Sequence, residues 1–183
     1  MSVTCLWAPS PAFSAPTPHQ DSVSGTVTTL GFVNQVIHWQ ITATSGPSGE
    51  NPTGRVSAFF DGFGPYLDGP VTCLSVHDNV AVLQTQDSLM RLPIAYRITD
   101  NEGLGVPDVV EAAYANPGFS DCRPEFSYIR TDCVTSGDIV VVDVPPLPTS
   151  KEECKDGGWR AFGSTFSNQG QCVAFVQRGP KPS

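Results

Sequence analysis

The sequence predicts an all-β protein: an antiparallel meander of about eight short strands, closed into a barrel or folded into a sandwich. Three observations lead there. Charged residues make up only 15% of the chain, too few for a helical bundle. Seventeen glycines and 17 prolines interrupt the chain at short intervals. Between these breaks, apolar and polar residues alternate with the period of two that places one face of a strand inward.

Residues 1–20 are rich in Pro, Ser and Ala and read as a leader. The spacing of Ala12 and Ala15 resembles a signal-peptide cleavage region, but a basic segment is missing and the apolar stretch is short. A signal-peptide remnant and an ordinary leader both stay open. The β domain is expected over 21–144, with strands at Ser24–Phe32, Gln35–Thr44, Arg55–Phe60, Pro70–Val76, Val80–Gln84, Leu92–Thr99, Val109–Ala113 and Asp138–Val144. Turn-forming clusters separate them: the long Gly46–Gly54 loop, Asp61-Gly62, Asp68-Gly69, His77-Asp78-Asn79, Asp87-Ser88 and Asn101-Glu102-Gly103. Val71–Val76 and Val80–Leu83 flank a short polar link and read as a tight hairpin.

Pro145-Pro146-Leu147-Pro148 cannot pair as a central strand, so 145–149 is an extended spacer. The tail, 150–179, is expected to form a helical hairpin. Thr149 or Ser150 caps its first helix, with Glu153 three residues after Ser150, and Gly157-Gly158 ends it. A second short helix begins near Ser167 or Asn168 and stops at Gly179-Pro180.

Eighteen acidic side chains against 10 basic ones give a net charge of −8. That sign repels phosphate backbones and anionic lipid, which argues against a nucleic-acid partner. No apolar run approaches the roughly 20 residues of a membrane helix, so no membrane span is expected. Six cysteines are present without a C-x-x-C pair, and the three histidines lie apart from them. The zinc reading is therefore weak, and an even cysteine count in such a chain fits an oxidising, extracellular location.

The tail carries the most specific pattern: Lys151, Cys154-Lys155, Gly157-Gly158-Trp159-Arg160 and Phe162, then Phe166, Asn168-Gln169-Gly170, Cys172-Val173 and Phe175-Val176. It resembles the tail of uncharacterised bacterial secreted proteins frequent among actinobacteria. Gly46–Gly54, Gly69–Leu74 and Gly137–Val141 resemble the β-rich domain that often precedes that tail. The resemblance spans most of residues 21–178 and implies export and a β fold. It implies no activity and assigns no catalytic or binding residues.

Within the tail, Cys154 and Cys172 are expected to staple the two helices around Trp159, Phe162 and Phe166. The alternative is a wall-association element that exposes Trp159 and Arg160. Cys73 with Cys122 is the preferred second bridge, because it would pin a core strand to the loop before the last strand. Cys5 with Cys133 requires that the leader be retained, and six cysteines leave other connectivities open.

Asp100, Glu102 and Asp108 cluster in a Gly-containing loop and offer the oxygen donors of a weak calcium site, without EF-hand spacing; no other cofactor is implied. His38 is a candidate general base or a solvent-facing strand residue. Ser48 lacks the G-x-S-x-G frame of a nucleophile elbow. Trp39, Phe59, Phe60, Phe63, Tyr66, Tyr96 and Tyr114 either line a barrel mouth for a small apolar ligand or fill the interior themselves. The expected function is a secreted, non-enzymatic structural or interaction module, a cell-envelope component. A ligand-binding barrel and a barrel-based hydrolase or isomerase are the alternatives.

Overall fold

The computed structural model describes residues 19–31, 35–114, 122 and 130–178. Eight antiparallel strands in sequence order close into a barrel: β1 (Asp21–Leu30), β2 (Val36–Ser45), β3 (Thr53–Phe60), β4 (Gly64–His77), β5 (Val80–Gln86), β6 (Pro93–Thr99), β7 (Val109–Tyr114) and β8 (Arg130–Val142). Each strand pairs with its sequence neighbour, and β8 pairs with β1 to close the ring. The ends of β1, β3, β5 and β7 lie at one end of the barrel, the upper rim. The turns after β2, β4 and β6 lie with the start of β1 and the end of β8 at the lower rim.

The alternation read from sequence is the inside–outside alternation of the barrel wall. On β2, Ile37, Trp39, Ile41 and Ala43 are buried while Gln40 and Thr42 are exposed. Trp39 has room because its cross-strand neighbours are smaller, Val27 on β1 and Ala58 on β3. It reaches across the barrel to Tyr96 on β6, which it meets edge to face at 6.2 Å between ring centroids. Its indole Nε1 donates to Thr29 Oγ1 at 2.9 Å, so its one polar atom is satisfied inside.

Two strands, β4 and β8, are much longer than expected, and glycine explains both. Asp68-Gly69 lies within β4 and does not form a turn. A Cβ on Gly69 would sit 2.5 Å from the Gln86 carbonyl, so glycine here permits close approach to β5. β8 begins at Arg130 and not near Asp138. Gly137 (φ +86°) and the register shift opposite Thr28/Thr29 interrupt the alternation that would reveal the strand's first half. A bulge between Val71 and Cys73 likewise shifts the inward phase of β4, from Leu67 and Val71 to Leu74.

The tail comprises α1 (Lys151–Cys154), a 3₁₀ segment (Lys155–Thr165) and α2 (Gln169–Arg178). Ser150 Oγ accepts from the Glu153 N–H, and the Glu153 carboxylate accepts from the Thr149 N–H at 2.8 Å. That reciprocal capping holds Glu153 below its ordinary pKa, chiefly through the Thr149 bond. Gly157-Gly158 do not end the helical path. Gly157 takes φ +89° and the chain continues in tighter 3₁₀ turns. These helices pack on one another around Cys154, Phe166 and Cys172.

Disulfides join Cys154 to Cys172 and Cys73 to Cys122, with sequence separations of 18 and 49. Chain-entropy reasoning gives about 3 and 4 kcal/mol for loops of these sizes. Cys133 is exposed and unpaired among the described residues, and Cys5 lies outside them.

Two outcomes are expected. Replacing Cys154 and Cys172 with serine should lower far-UV helical signal and leave the near-UV signal of the Trp39–Tyr96 core unchanged. Gly137→Ala places a Cβ 2.2 Å from the Thr26 carbonyl at a positive φ, and should cost about 1–3 kcal/mol in urea denaturation.

Candidate functional site

The lumen is the first place to look for a site, and its own side chains fill it. Val23, Ile37, Trp39, Val56, Ala58, Leu83, Ile98 and Ile139 are all fully buried and form one continuous core. The aromatic set splits accordingly. Trp39 and Tyr96 fill the middle, and Phe60 stacks on Tyr66 at 4.5 Å, packed against the core. Phe59, Phe63 and Tyr114 are exposed.

Two polar atoms interrupt the apolar interior. Tyr96 OH and Thr85 Oγ1 are enclosed and lie near one another, and neither makes a well-formed hydrogen bond. Burial raises the Tyr96 phenol well above its ordinary pKa, so it stays neutral.

The acidic residues act mainly as fasteners. β7 is short, and the β7–β8 ladder covers only Val109 to Ala112. Further along β8, side chains replace the missing strand. Asp108 Oδ2 accepts from the Ile139 N–H and Asp100 Oδ2 from the Val141 N–H, each at 3.1 Å. The remaining Asp108 oxygen accepts from Asn101 N–H at 2.7 Å, and that of Asp100 from Glu102 N–H at 2.8 Å. The residues expected to bind calcium therefore hold the barrel seam, with Glu102 exposed beside them. Among the described residues no three His, Cys, Asp or Glu side chains are grouped to hold a metal ion.

Asp87 and Asp21 were not singled out from sequence, although the Asp87-Ser88 turn signal was visible. Asp87 is buried and accepts from the N–H groups of Asp68, Leu89 and Met90. Asp21 accepts from the Val144 N–H at 2.9 Å, which ties the start of β1 to the end of β8. Burial raises its pKa above the ordinary carboxylate value, and the Asp143 and Glu50 charges add to the shift.

His38 stands on the outer wall. Its Nε2 meets Asp61 Oδ1 at 2.7 Å, its Nδ1 lies 3.4 Å from Thr28 Oγ1, and its ring stacks on Phe59 at 4.9 Å. The arrangement clasps β1 and β2 to the β3–β4 turn. Ser48 lies in the β2–β3 loop, where its backbone N–H donates to Glu50.

Two hollows open on the surface of the barrel. One, of about 540 Å³, is floored by Val80, Val82, Val109 and the Arg97–Glu111 ion pair, with Cys122 at its edge. Thr131 Oγ1 donates to the second Glu111 oxygen, so both of that carboxylate's oxygens are engaged. The other, of about 320 Å³, lies over the seam beside Glu102, Asp108 and Asp138. In the tail, Trp159 is half-buried and the exposed Arg160 guanidinium lies 4.9 Å from its ring centroid. No described helix is long and apolar enough to cross a membrane. No protein-family model, curated protein or solved structure matches the chain.

Asp87→Ala leaves three backbone donors unpartnered and should cost about 3 kcal/mol or more by urea denaturation. Asp21 gives the opposite sign on acidification. Its raised pKa means the folded chain holds that proton more tightly, so its contribution to stability grows as pH falls through the raised value. The gain levels off below the ordinary value near 3.8. Asp21→Asn should remove this component from a plot of unfolding free energy against pH.

Proposed function

We propose that the chain is a secreted, non-enzymatic interaction module that works at or outside the cell envelope, with the barrel as a rigid platform and the stapled tail as its recognition element. The observation that carries this reading is the filled lumen. Trp39 and Tyr96 meet where a ligand-binding barrel would keep its cavity. The acids support it too, because the buried Asp87 and Asp108 and the half-buried Asp100 are committed to backbone N–H groups and not gathered around a reacting centre. Two disulfides and the tail's resemblance to bacterial secreted proteins support export. The tail packs on itself and leaves Trp159 partly open beside Arg160, a pairing suited to stacking against a planar or sugar-like surface.

Two measurements test this. The purified chain, with its disulfides intact, should co-sediment with isolated bacterial cell walls, and Trp159→Ala with Arg160→Ala should weaken that association. In a variant carrying Trp7→Phe and Trp159→Phe, Trp39 fluorescence reports the lumen alone. Saturable quenching by an apolar ligand such as a long-chain fatty acid would overturn the reading in favour of a ligand-binding barrel.

A further inference from the structure

One stretch of the barrel's outer wall is apolar, and it leads to an exposed thiol. On β8, Ile139 is buried and Val141 packs against the core, so Asp138, Val140 and Val142 point outward, and both of these valines are exposed. The register shift opposite Thr28/Thr29 resets the alternation further up the strand. There Val134 packs against the core and Cys133 is exposed on the outside. Between Asp138 and Cys133 lies the hollow of about 320 Å³, walled on its other side by the exposed Val106 and by Pro107. Cys133 has no disulfide partner among the described residues, and Cys5 is the other cysteine outside the two bridges.

We infer that the leader, residues 1–18, docks on this outer face of β8 as an extended strap, held by a disulfide between Cys5 and Cys133, with Trp7 seated in the hollow. The described chain begins at His19, close to the end of β8, since Asp21 bonds the Val144 N–H and Ser22 stands opposite Val142. His19 takes φ +93°, a conformation of turns, so the segment before it does not continue straight out of β1. Reach is sufficient. From Val142 up to Cys133 the strand measures about 30 Å. The roughly 14 residues from Cys5 to His19 span about 43 Å in the extended form that Pro9, Pro11, Pro16 and Pro18 favour. Those prolines also lack N–H groups, which suits a segment lying across a sheet face and not one added to its edge. Trp7 stands two residues from Cys5, and Val134 and Ser136, which line the hollow, stand next to Cys133. Charge selects this occupant over a second copy. Residues 1–18 carry no Asp, Glu, Lys or Arg, whereas a second chain would bring its own −8 against Glu102 and Asp138 at the hollow. Forming the bridge takes two protons and two electrons from the Cys5 and Cys133 thiols and passes them to a disulfide-bonded exchange partner, which leaves as a dithiol. The inference does not depend on the tail's role.

The test uses the full 183-residue chain, oxidised in a glutathione buffer, alkylated and digested without reduction. A peptide pair joining Cys5 to Cys133 is expected beside the bridges of the barrel and the tail. Recovering Cys133 alkylated, or bridged to Cys133 of a second chain, would overturn the inference. Docking is read separately in Trp159→Phe, which leaves Trp7 beside Trp39, and Trp39 is fully buried and shielded from quencher. Acrylamide should quench Trp7 weakly in that chain, and severalfold more strongly once Val106→Asp and Val140→Asp are added. Both positions are exposed, and an unaltered melting transition verifies that the patch variant folds. Equal quenching with and without the patch substitutions would overturn the docked strap even where the bridge forms.

Discussion

The contact between Trp39 and Tyr96 is the constraint on which the rest of the barrel depends. An eight-stranded barrel has an interior just wide enough for side chains from opposite walls to meet. β2 and β6 are opposite walls here, and their two largest inward residues meet edge to face. The neighbours follow from that. Val27 and Ala58 are small so that the indole fits, and Thr29 is polar so that the indole N–H has an acceptor. A cavity for a ligand and this pair of rings cannot occupy the same place.

A filled interior moves the chemistry to the rims and the seam. Closing a sheet on itself requires every strand to find two neighbours, yet β7 is too short to cover β8. Asp100 and Asp108 supply carboxylate oxygens where strand carbonyls would otherwise stand, and Asp21 does the same at the closing pair. Such acids are conspicuous in sequence, and their backbone N–H partners are not.

Much of the fold was legible in the sequence. Period-two alternation marked β1 and β2, and turn-forming residues at short intervals delimited the other six strands. The tail's first cap was legible because capping is a local interaction of Ser150 and Glu153. What failed was tied to glycine: Asp68-Gly69 was read as a turn because close approach to β5 cannot be foreseen from local sequence, and Gly137 concealed the first half of β8. The bonds from Asp108 to Ile139 and from Asp100 to Val141 join residues 31 and 41 positions apart, which no local pattern records.

The order of the strands has a consequence for how the chain matures. Seven of the eight ladders join neighbours in sequence and can form as the polypeptide lengthens. The eighth joins Ser22 to Val142, so the ring stays open until its last strand arrives. The cylinder therefore locks only after nearly the whole β domain is available, and β1 waits with an unpaired edge until then.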